Sequence, residues 1–202
     1  MGVIIGVLAL QGDVREHLVA LRAAGAEATP VKTQEEIARV DGLIIPGGES
    51  TTVGKLLERF GMMARVRALP GEGKPIFGTC TGMILLAKEI EQSTQPRLGL
   101  MDITVRRNAF GRQIDSFEED VEVAGIDGGP VRAVFIRAPF ITRVQPGVEV
   151  LAWHGDHPIL VREGNLLAAA FHPEMTDDTR IHRLFIEMVR KGEGYGRVKS
   201  EG

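Results

Sequence analysis

Lys74-Pro75-Ile76-Phe77-Gly78-Thr79-Cys80-Thr81-Gly82 is the stretch on which the reading of this sequence turns. Residues 74–77 form a short apolar run of strand length, and an apolar helical stretch over residues 81–90 follows almost at once. A strand that passes into a helix through so short a turn, with Gly78 and Gly82 each two residues from Cys80, is the cysteine counterpart of the G-x-S-x-G elbow. Such a turn holds its central residue in a strained backbone conformation, and the glycines let neighbouring segments approach closely.

Upstream of the elbow the strand–helix rhythm repeats. Residues 3–8 read as a buried strand, 14–24 as a helix ending at Gly25, 26–31 as a second strand and 34–40 as a short helix. Residues 42–45 read as a third strand, stopped by Pro46-Gly47-Gly48, and a longer helix begins near Ser50. In the first helix Val14, Leu18 and Leu21 share one face, with Arg15, Glu16 and Arg22 elsewhere. This spacing predicts βαβ units and a mostly parallel sheet covered on both faces.

Downstream the pattern changes. Residues 102–106, 120–123, 131–136, 149–153, 157–161 and 166–171 read as strands with no helices between them, which predicts hairpins or an antiparallel extension of the sheet. A helix over 176–190, with Ile181, Leu184, Phe185 and Met188 at helical spacing, closes a single α/β domain over residues 1–190. Residues 191–202 are polar and glycine-rich and read as a flexible tail.

The chain has 202 residues, enough for one sizeable core and too few for two comfortable domains. A net charge of −3, from 24 basic and 27 acidic residues, provides no field for nucleic acid or an anionic membrane. The apolar start of the chain lacks a basic flank and is too short to span a bilayer, which predicts a cytoplasmic protein. A single cysteine excludes an intramolecular disulfide and a thiolate cluster for zinc, and no metal or cofactor is expected.

A lone cysteine is ordinarily a small buried hydrophobe, and the elbow is what argues against that here. At the head of a helix Cys80 faces the positive end of the helix dipole, which favours the attacking thiolate. A thiolate needs a base, and the base an orienting group. Of five histidines, His17 reads as lying on a polar helix face and His182 on the last helix, and His154 and His157 flank a turn. His172 instead follows the strand over 166–171, in Phe171-His172-Pro173-Glu174. Pro173 holds His172 extended, so Glu174 projects to the same side and can accept from one imidazole nitrogen. The lesser alternative is that Glu174 is an acidic residue at the head of the following helix, and the two roles are compatible. Oxyanion donors are expected from the Thr81 backbone N–H and from Pro46-Gly47-Gly48-Glu49-Ser50, whose glycines allow an N–H to turn inward. A glycine-rich loop before a helix also suits phosphate, but this one has neither the Walker lysine pattern nor G-x-G-x-x-G.

Together the Pro46–Ser50 loop, the Gly78-Thr79-Cys80-Thr81-Gly82 elbow and Phe171-His172-Pro173-Glu174 resemble class I glutamine amidotransferases. Three further stretches narrow the resemblance to the glutaminase subunits of pyridoxal 5'-phosphate synthases. They are Leu8-Ala9-Leu10-Gln11-Gly12 with Glu16-His17, Asn108-Ala109-Phe110-Gly111-Arg112-Gln113 with Asp115-Ser116-Phe117, and Val134-Phe135-Ile136-Arg137-Ala138-Pro139. The resemblance implies a single-domain, three-layer flavodoxin-like fold with a mixed sheet. It implies hydrolysis of L-glutamine to glutamate and ammonia, with Cys80 as nucleophile, His172 as base and then acid, and Glu174 orienting it. Gly48, Glu49, Ser50, Arg107, Ile136 and Arg137 would contact glutamine, a guanidinium being suited to its carboxylate. Either arginine reads also as a surface charge. Gly48 and Thr81 would supply the oxyanion hole. Thr81 departs from the alanine most frequent after the nucleophile, which leaves its backbone N–H unaffected. The ammonia would pass to the synthase subunit in a hetero-oligomeric complex, with Gln11-Gly12 and the first helix on the docking face. Two other readings stand beside this one: a cysteine hydrolase of similar fold, and a silent binding subunit that has kept the fold.

Overall fold

The computed structural model describes residues 2–108 and 116–199, with side chains as far as residue 192. Ala109 to Gln113 and Asp115, which carry part of the resemblance, lie outside the described residues. The first half alternates as the pattern predicts: β1 (Ile4–Leu8), α1 (Val14–Ala23), β2 (Glu27–Val31), α2 (Gln34–Ala38), β3 (Gly42–Ile45), α3 (Ser50–Arg59) and α4 (Met63–Ala68). Then come β4 (Ile76–Thr79), α5 (Thr81–Leu86), β5 (Ala87–Ile90), β6 (Met101–Arg106) and β7 (Ser116–Val121). The chain continues through β8 (Val131–Ile136), β9 (Phe140–Val144), β10 (Glu149–His154), β11 (His157–Glu163), β12 (Leu166–Ala169) and α6 (Arg180–Lys199).

The main sheet has seven strands in the order β10-β11-β12-β4-β3-β1-β2. β12, β4, β3, β1 and β2 pair in parallel, and β10 and β11 extend the sheet antiparallel at one edge. β3, β4 and β12 are buried at every residue, as expected of continuous apolar strands covered on both faces. The alternation along β4 shows the two layers. Phe77 meets His182 and Phe185 of α6, and Thr79 meets His17 of α1, whereas Gly78 lies against Gly82 of α5. The remaining strands form two smaller sheets, β5-β6-β9 and the β7-β8 hairpin. Stacked Phe117 and Phe135, 4.5 Å between ring centroids, hold that hairpin, and Phe135 in turn packs on Phe171 at 5.9 Å.

Several elements differ from the sequence reading, each for an identifiable reason. The helix read over 81–90 stops at Leu86, and residues 87–90 become β5. The carbonyls of its last turn are claimed from outside: Leu98 N–H donates to the Leu85 carbonyl at 2.7 Å and Leu100 N–H to that of Leu86 at 2.9 Å. With those acceptors occupied, Ala87 turns extended and pairs with Met101. The last helix begins at Arg180 rather than at 176, because Asp178 accepts from the Arg180 backbone N–H at 3.0 Å and stops a turn formed by Pro173–Met175. It runs to Lys199, into the stretch read as a tail. β9 was not read from the sequence, since Thr142 and Arg143 break its apolar run.

Viewed along the strands, the chain order reverses between β1 and β3, so a crevice opens at the carboxyl ends of the central strands. The Gln11-Gly12 turn, the Pro46-Gly47-Gly48 loop, Cys80 and His172 all follow the carboxyl ends of these strands. At the elbow a Cβ on Gly82 would sit 2.1 Å from the Ile45 carbonyl oxygen, and one on Gly78 2.4 Å from the Gly82 backbone. Because backbone cannot yield as a side-chain tip can, Gly82→Ala is expected to lower unfolding free energy by about 3 kcal/mol in urea denaturation, with an unchanged far-ultraviolet spectrum.

Candidate active site

Cys80 caps α5 with φ 49° and ψ −102°, a backbone conformation that L-residues other than glycine avoid. It is held there from two directions. Its N–H donates to the Ala169 carbonyl of β12 at 2.8 Å, and its carbonyl accepts from Ile84 at 3.2 Å as the first turn of α5. Asn108 (φ 48°) and Arg137 (φ 43°) are also left-handed, and all three line one cavity of about 480 Å³ at the carboxyl edge of the sheet. Backbone strain concentrated round one cavity marks a site whose geometry the rest of the fold enforces. A larger cavity of about 720 Å³ lies at the opposite end of β4 and β12 and contains none of these groups.

His172 reaches the same cavity from the other side. Its backbone N–H donates to the Val134 carbonyl of β8 at 2.8 Å, so the hairpin fixes the segment that carries it. Its ring Nδ1 lies 2.6 Å from Glu174 Oε1, with both groups buried. A carboxylate only accepts, so Nδ1 carries the proton and the opposite ring nitrogen is left for the Cys80 sulfur, with which the ring is hydrogen-bonded. Burial opposes charge on His172, but the hydrogen bonds with Cys80 and Glu174 and the attraction of both groups prevail, and its pKa is pushed up to about 10. Burial pushes the Glu174 carboxyl up, and the His172 contact partly reverses this. Asp13, at the head of α1, stands 3.5 Å from His172 Nδ1, its own carboxyl raised by burial against the pull of His172. Asp13, His172 and Glu174 come together closely enough to suggest a cation site, yet the Nδ1 atom they share is already committed to Glu174.

All the residues expected to contact substrate meet here. Gly48, Glu49, Ser50, Cys80, Thr81, Arg107, Ile136, Arg137 and His172 line the cavity, with Glu174 behind His172. Their side chains are not equally free. The Glu49 carboxylate caps α3, accepting from Thr51 N–H, Thr52 N–H and the Thr52 hydroxyl, and the Thr52 hydroxyl above all holds its pKa down. The Thr81 hydroxyl donates to the Gly48 carbonyl at 2.5 Å, a tie between elbow and loop that alanine at this position would lack. Arg107 donates to Gln95 Oε1 and, at 3.2 Å, to the Thr51 hydroxyl.

Three contributions escaped the sequence reading. Gln95 Oε1 accepts from Arg107, Ser50 and Thr51, so one buried amide aligns a cavity arginine with the head of α3. Gln11 Oε1 accepts from the Glu49 backbone N–H at 2.7 Å, which brings the Gln11-Gly12 turn into the cavity wall. His17 and His182, read as lying on a polar face and as bland, are both fully buried. The signal was present in the spacing: His17 falls with Val14 and Leu21 on the apolar stripe of α1, and His182 with Phe185, Ile186 and Val189 on that of α6.

Comparison with known proteins bears on this geometry. Residues 7–191 match the family model described as the SNO glutamine amidotransferase family. A pyridoxal 5'-phosphate synthase subunit PdxT of Parafrankia sp. (strain EAN1pec) is 56% identical over 198 residues, covering 97% of this chain and 98% of that protein. A subunit of the same name from Mycolicibacterium vanbaalenii is 60% identical over 187 residues, covering 90% of this chain and 95% of its own. A crystal structure of a glutamine amidotransferase, 54% identical, superposes with a TM-score of 0.88 over 92% of this chain and 98% of the other. PurLQS from Thermotoga maritima, 18% identical, shares the fold with a TM-score of 0.67 over 95% of this chain and 97% of the matched one.

The coupling of Cys80 and His172 has a measurable sign. A histidine raised from its ordinary 6.5 to about 10 adds stability that is fully present below 6.5 and is lost as pH rises through about 10. Cys80→Ala removes the sulfur's hydrogen bond and its attraction, so His172 is expected to release its proton at lower pH in the variant. Histidine ring NMR titration of both proteins measures this; identical His172 titrations would separate the two side chains.

Proposed function

The chain belongs to the SNO glutamine amidotransferase family, and from that premise we propose that it hydrolyses L-glutamine through a thioester on Cys80 and hands the ammonia to a pyridoxal 5'-phosphate synthase subunit. The observation that carries the reading is the line of contacts from Cys80 through His172 to the buried Glu174. The Cys80 thiolate attacks the side-chain amide carbon of glutamine, and the carbonyl oxygen takes the electron pair. Backbone N–H groups of Thr81 and of Gly48 receive that oxyanion. His172 gives its proton to the amide nitrogen, the carbon–nitrogen bond breaks, and ammonia leaves a glutamyl thioester. His172, now neutral, takes a proton from water as the water attacks the thioester, and glutamate departs with the thiolate restored. Glu174 does not exchange the proton; it holds the ring in the tautomer that serves both steps.

Recognition of glutamine falls to Arg107 and Arg137 for its carboxylate, with Ile136 and the Gly48-Glu49-Ser50 segment shaping the cavity. The Thr81 hydroxyl bond to the Gly48 carbonyl fixes how that segment presents its backbone to the substrate. We take residues 1–190 as the amidotransferase unit, acting in the cytoplasm as one component of a hetero-oligomer. Among the described residues no helix is long and apolar enough to cross a membrane. Docking of the synthase on the Gln11-Gly12 turn and α1 is supported by Val19, which keeps an apolar side chain 59% exposed there. Because Gln11 also holds the Glu49 N–H, a partner bound at this turn touches the substrate loop directly.

Cys80→Ala is expected to lower ammonia release, assayed with the synthase subunit present, by at least about 1,000-fold while leaving the melting temperature near that of the parent. His172→Asn should still bind glutamine, by calorimetry, without turning it over. Ammonia release at the parental rate from Cys80→Ala would remove the thioester mechanism. Wild-type activity indifferent to the synthase would remove the partner and keep the chemistry.

A further inference from the structure

Behind Glu174, on the side away from the cavity, lie the two buried histidines. His17 Nε2 stands 3.4 Å from Glu174 Oε2 and 3.0 Å from the Thr79 hydroxyl, and His17 Nδ1 stands 3.0 Å from His182 Nε2. The side chains of His17 and Glu174 are wholly inaccessible to solvent. Glu174 Oε2 makes no hydrogen bond, His17 Nε2 facing it at 3.4 Å without bonding geometry, and His182 Nδ1 has no partner at all. Resting on the glutaminase reading above, we infer that His17 and His182 are a neutral imidazole pair that positions Glu174, with His17 presenting Nε2–H to the carboxylate oxygen that His172 leaves free.

The proton assignment follows from counting donors. Between His17 Nδ1 and His182 Nε2 one nitrogen must donate and the other accept. If His17 donated, its Nε2 would turn a lone pair toward a carboxylate oxygen, and His182 would bury an N–H with no acceptor. If His182 donates through Nε2, His17 is left with Nε2–H, which donates to the Thr79 hydroxyl at 3.0 Å and faces Glu174 Oε2 at 3.4 Å. Within the two rings only the lone pair of His182 Nδ1 is then left without a partner. The second arrangement satisfies every buried N–H of the pair and turns an N–H, rather than a lone pair, toward the free carboxylate oxygen. Burial, followed by repulsion from the neighbouring histidines, holds His17 well below its ordinary value, and burial alone brings His182 to about 4, so both rings are uncharged at neutral pH.

The groups facing His17 are His182 from α6, Thr79 from β4, and Glu174 with His172 from the segment after β12. Asp13, at the head of α1, faces Glu174 and His172. Gripped at one oxygen only, Glu174 could rotate away from His172. With the His17 N–H facing its second oxygen, it is oriented to fix the plane of the imidazole that must serve ammonia and water in turn. Thr79 immediately precedes the nucleophile, so the same N–H also registers β4 against the acid.

The test uses the full-length chain with its synthase subunit, over glutamine concentrations up to saturation. His17→Leu is expected to lower kcat by about 10- to 100-fold with KM little changed. It should also move the acid limb of the kcat profile upward by about one pH unit, because a carboxylate that loses a donor protonates more readily. His17→Gln, whose amide nitrogen reaches the Nε2 position, should restore most of both. A purely structural role predicts no shift of the acid limb and no rescue by glutamine; either result would overturn the proposal. The tautomers are read independently of activity by nitrogen-15 NMR of the wild-type chain. Both rings are expected as Nε2–H and without proton uptake between pH 8 and about 6. An Nδ1–H form at His17 sinks the inference even where no variant folds, and absent wild-type glutaminase activity would fault the proposed function while the tautomer still decides the pair.

Discussion

The head of α5 lies so close to the end of β3 that Gly82 has no room for a side chain beside the Ile45 carbonyl, and Gly78 has none beside Gly82. That contact fixes the angle at which β4 passes into α5, and the angle forces Cys80 into its left-handed conformation. With the backbone so turned, the sulfur meets His172 rather than the core, and Thr81 comes within reach of the Gly48 carbonyl. The site is therefore a consequence of two missing methyl groups as much as of three reactive side chains. The same logic extends to Gly47, where an added Cβ would fall 2.6 Å from the His172 ring and 2.8 Å from Asp13.

Around that geometry the charges balance by opposition. Burial alone would strip His172 of its proton and load one onto Glu174. Their hydrogen bond works against both tendencies at once, and a pair so enclosed is held in its ionic form only while both members remain. Asp13 adds a second acid at a longer distance, raised by its own burial. One side of His172 meets the Cys80 sulfur and the other the Glu174 carboxylate, so the ring is polarised from one to the other.

Much of this was legible in local sequence. The elbow and the Phe171-His172-Pro173-Glu174 segment declare themselves because each compresses a strand end, a backbone constraint and a reactive group into a few residues. The parallel order of β1 to β4 follows from simple alternation. What was not legible depends on distant partners. The shortened α5 is set by Leu98 and Leu100, which take its last carbonyls, and nothing within residues 81–90 announces them. Gln95 looks like a loop amide until Arg107, Ser50 and Thr51 converge on it. His17 was misread because a polar name was given more weight than an apolar position.

The burial of the inner half of the site also governs how protons move. Glu174 and His17 are closed to solvent, and the His172 side chain is only 5% exposed, at the cavity wall. The exposed edge of His172 lies at that wall, beside the partly exposed Asp13 carboxylate 3.5 Å from its Nδ1. On the proposed reading, a substrate in the cavity covers that edge and sets its departing nitrogen against the ring. Proton exchange between His172 and the medium is thereby tied to whether the cavity is filled.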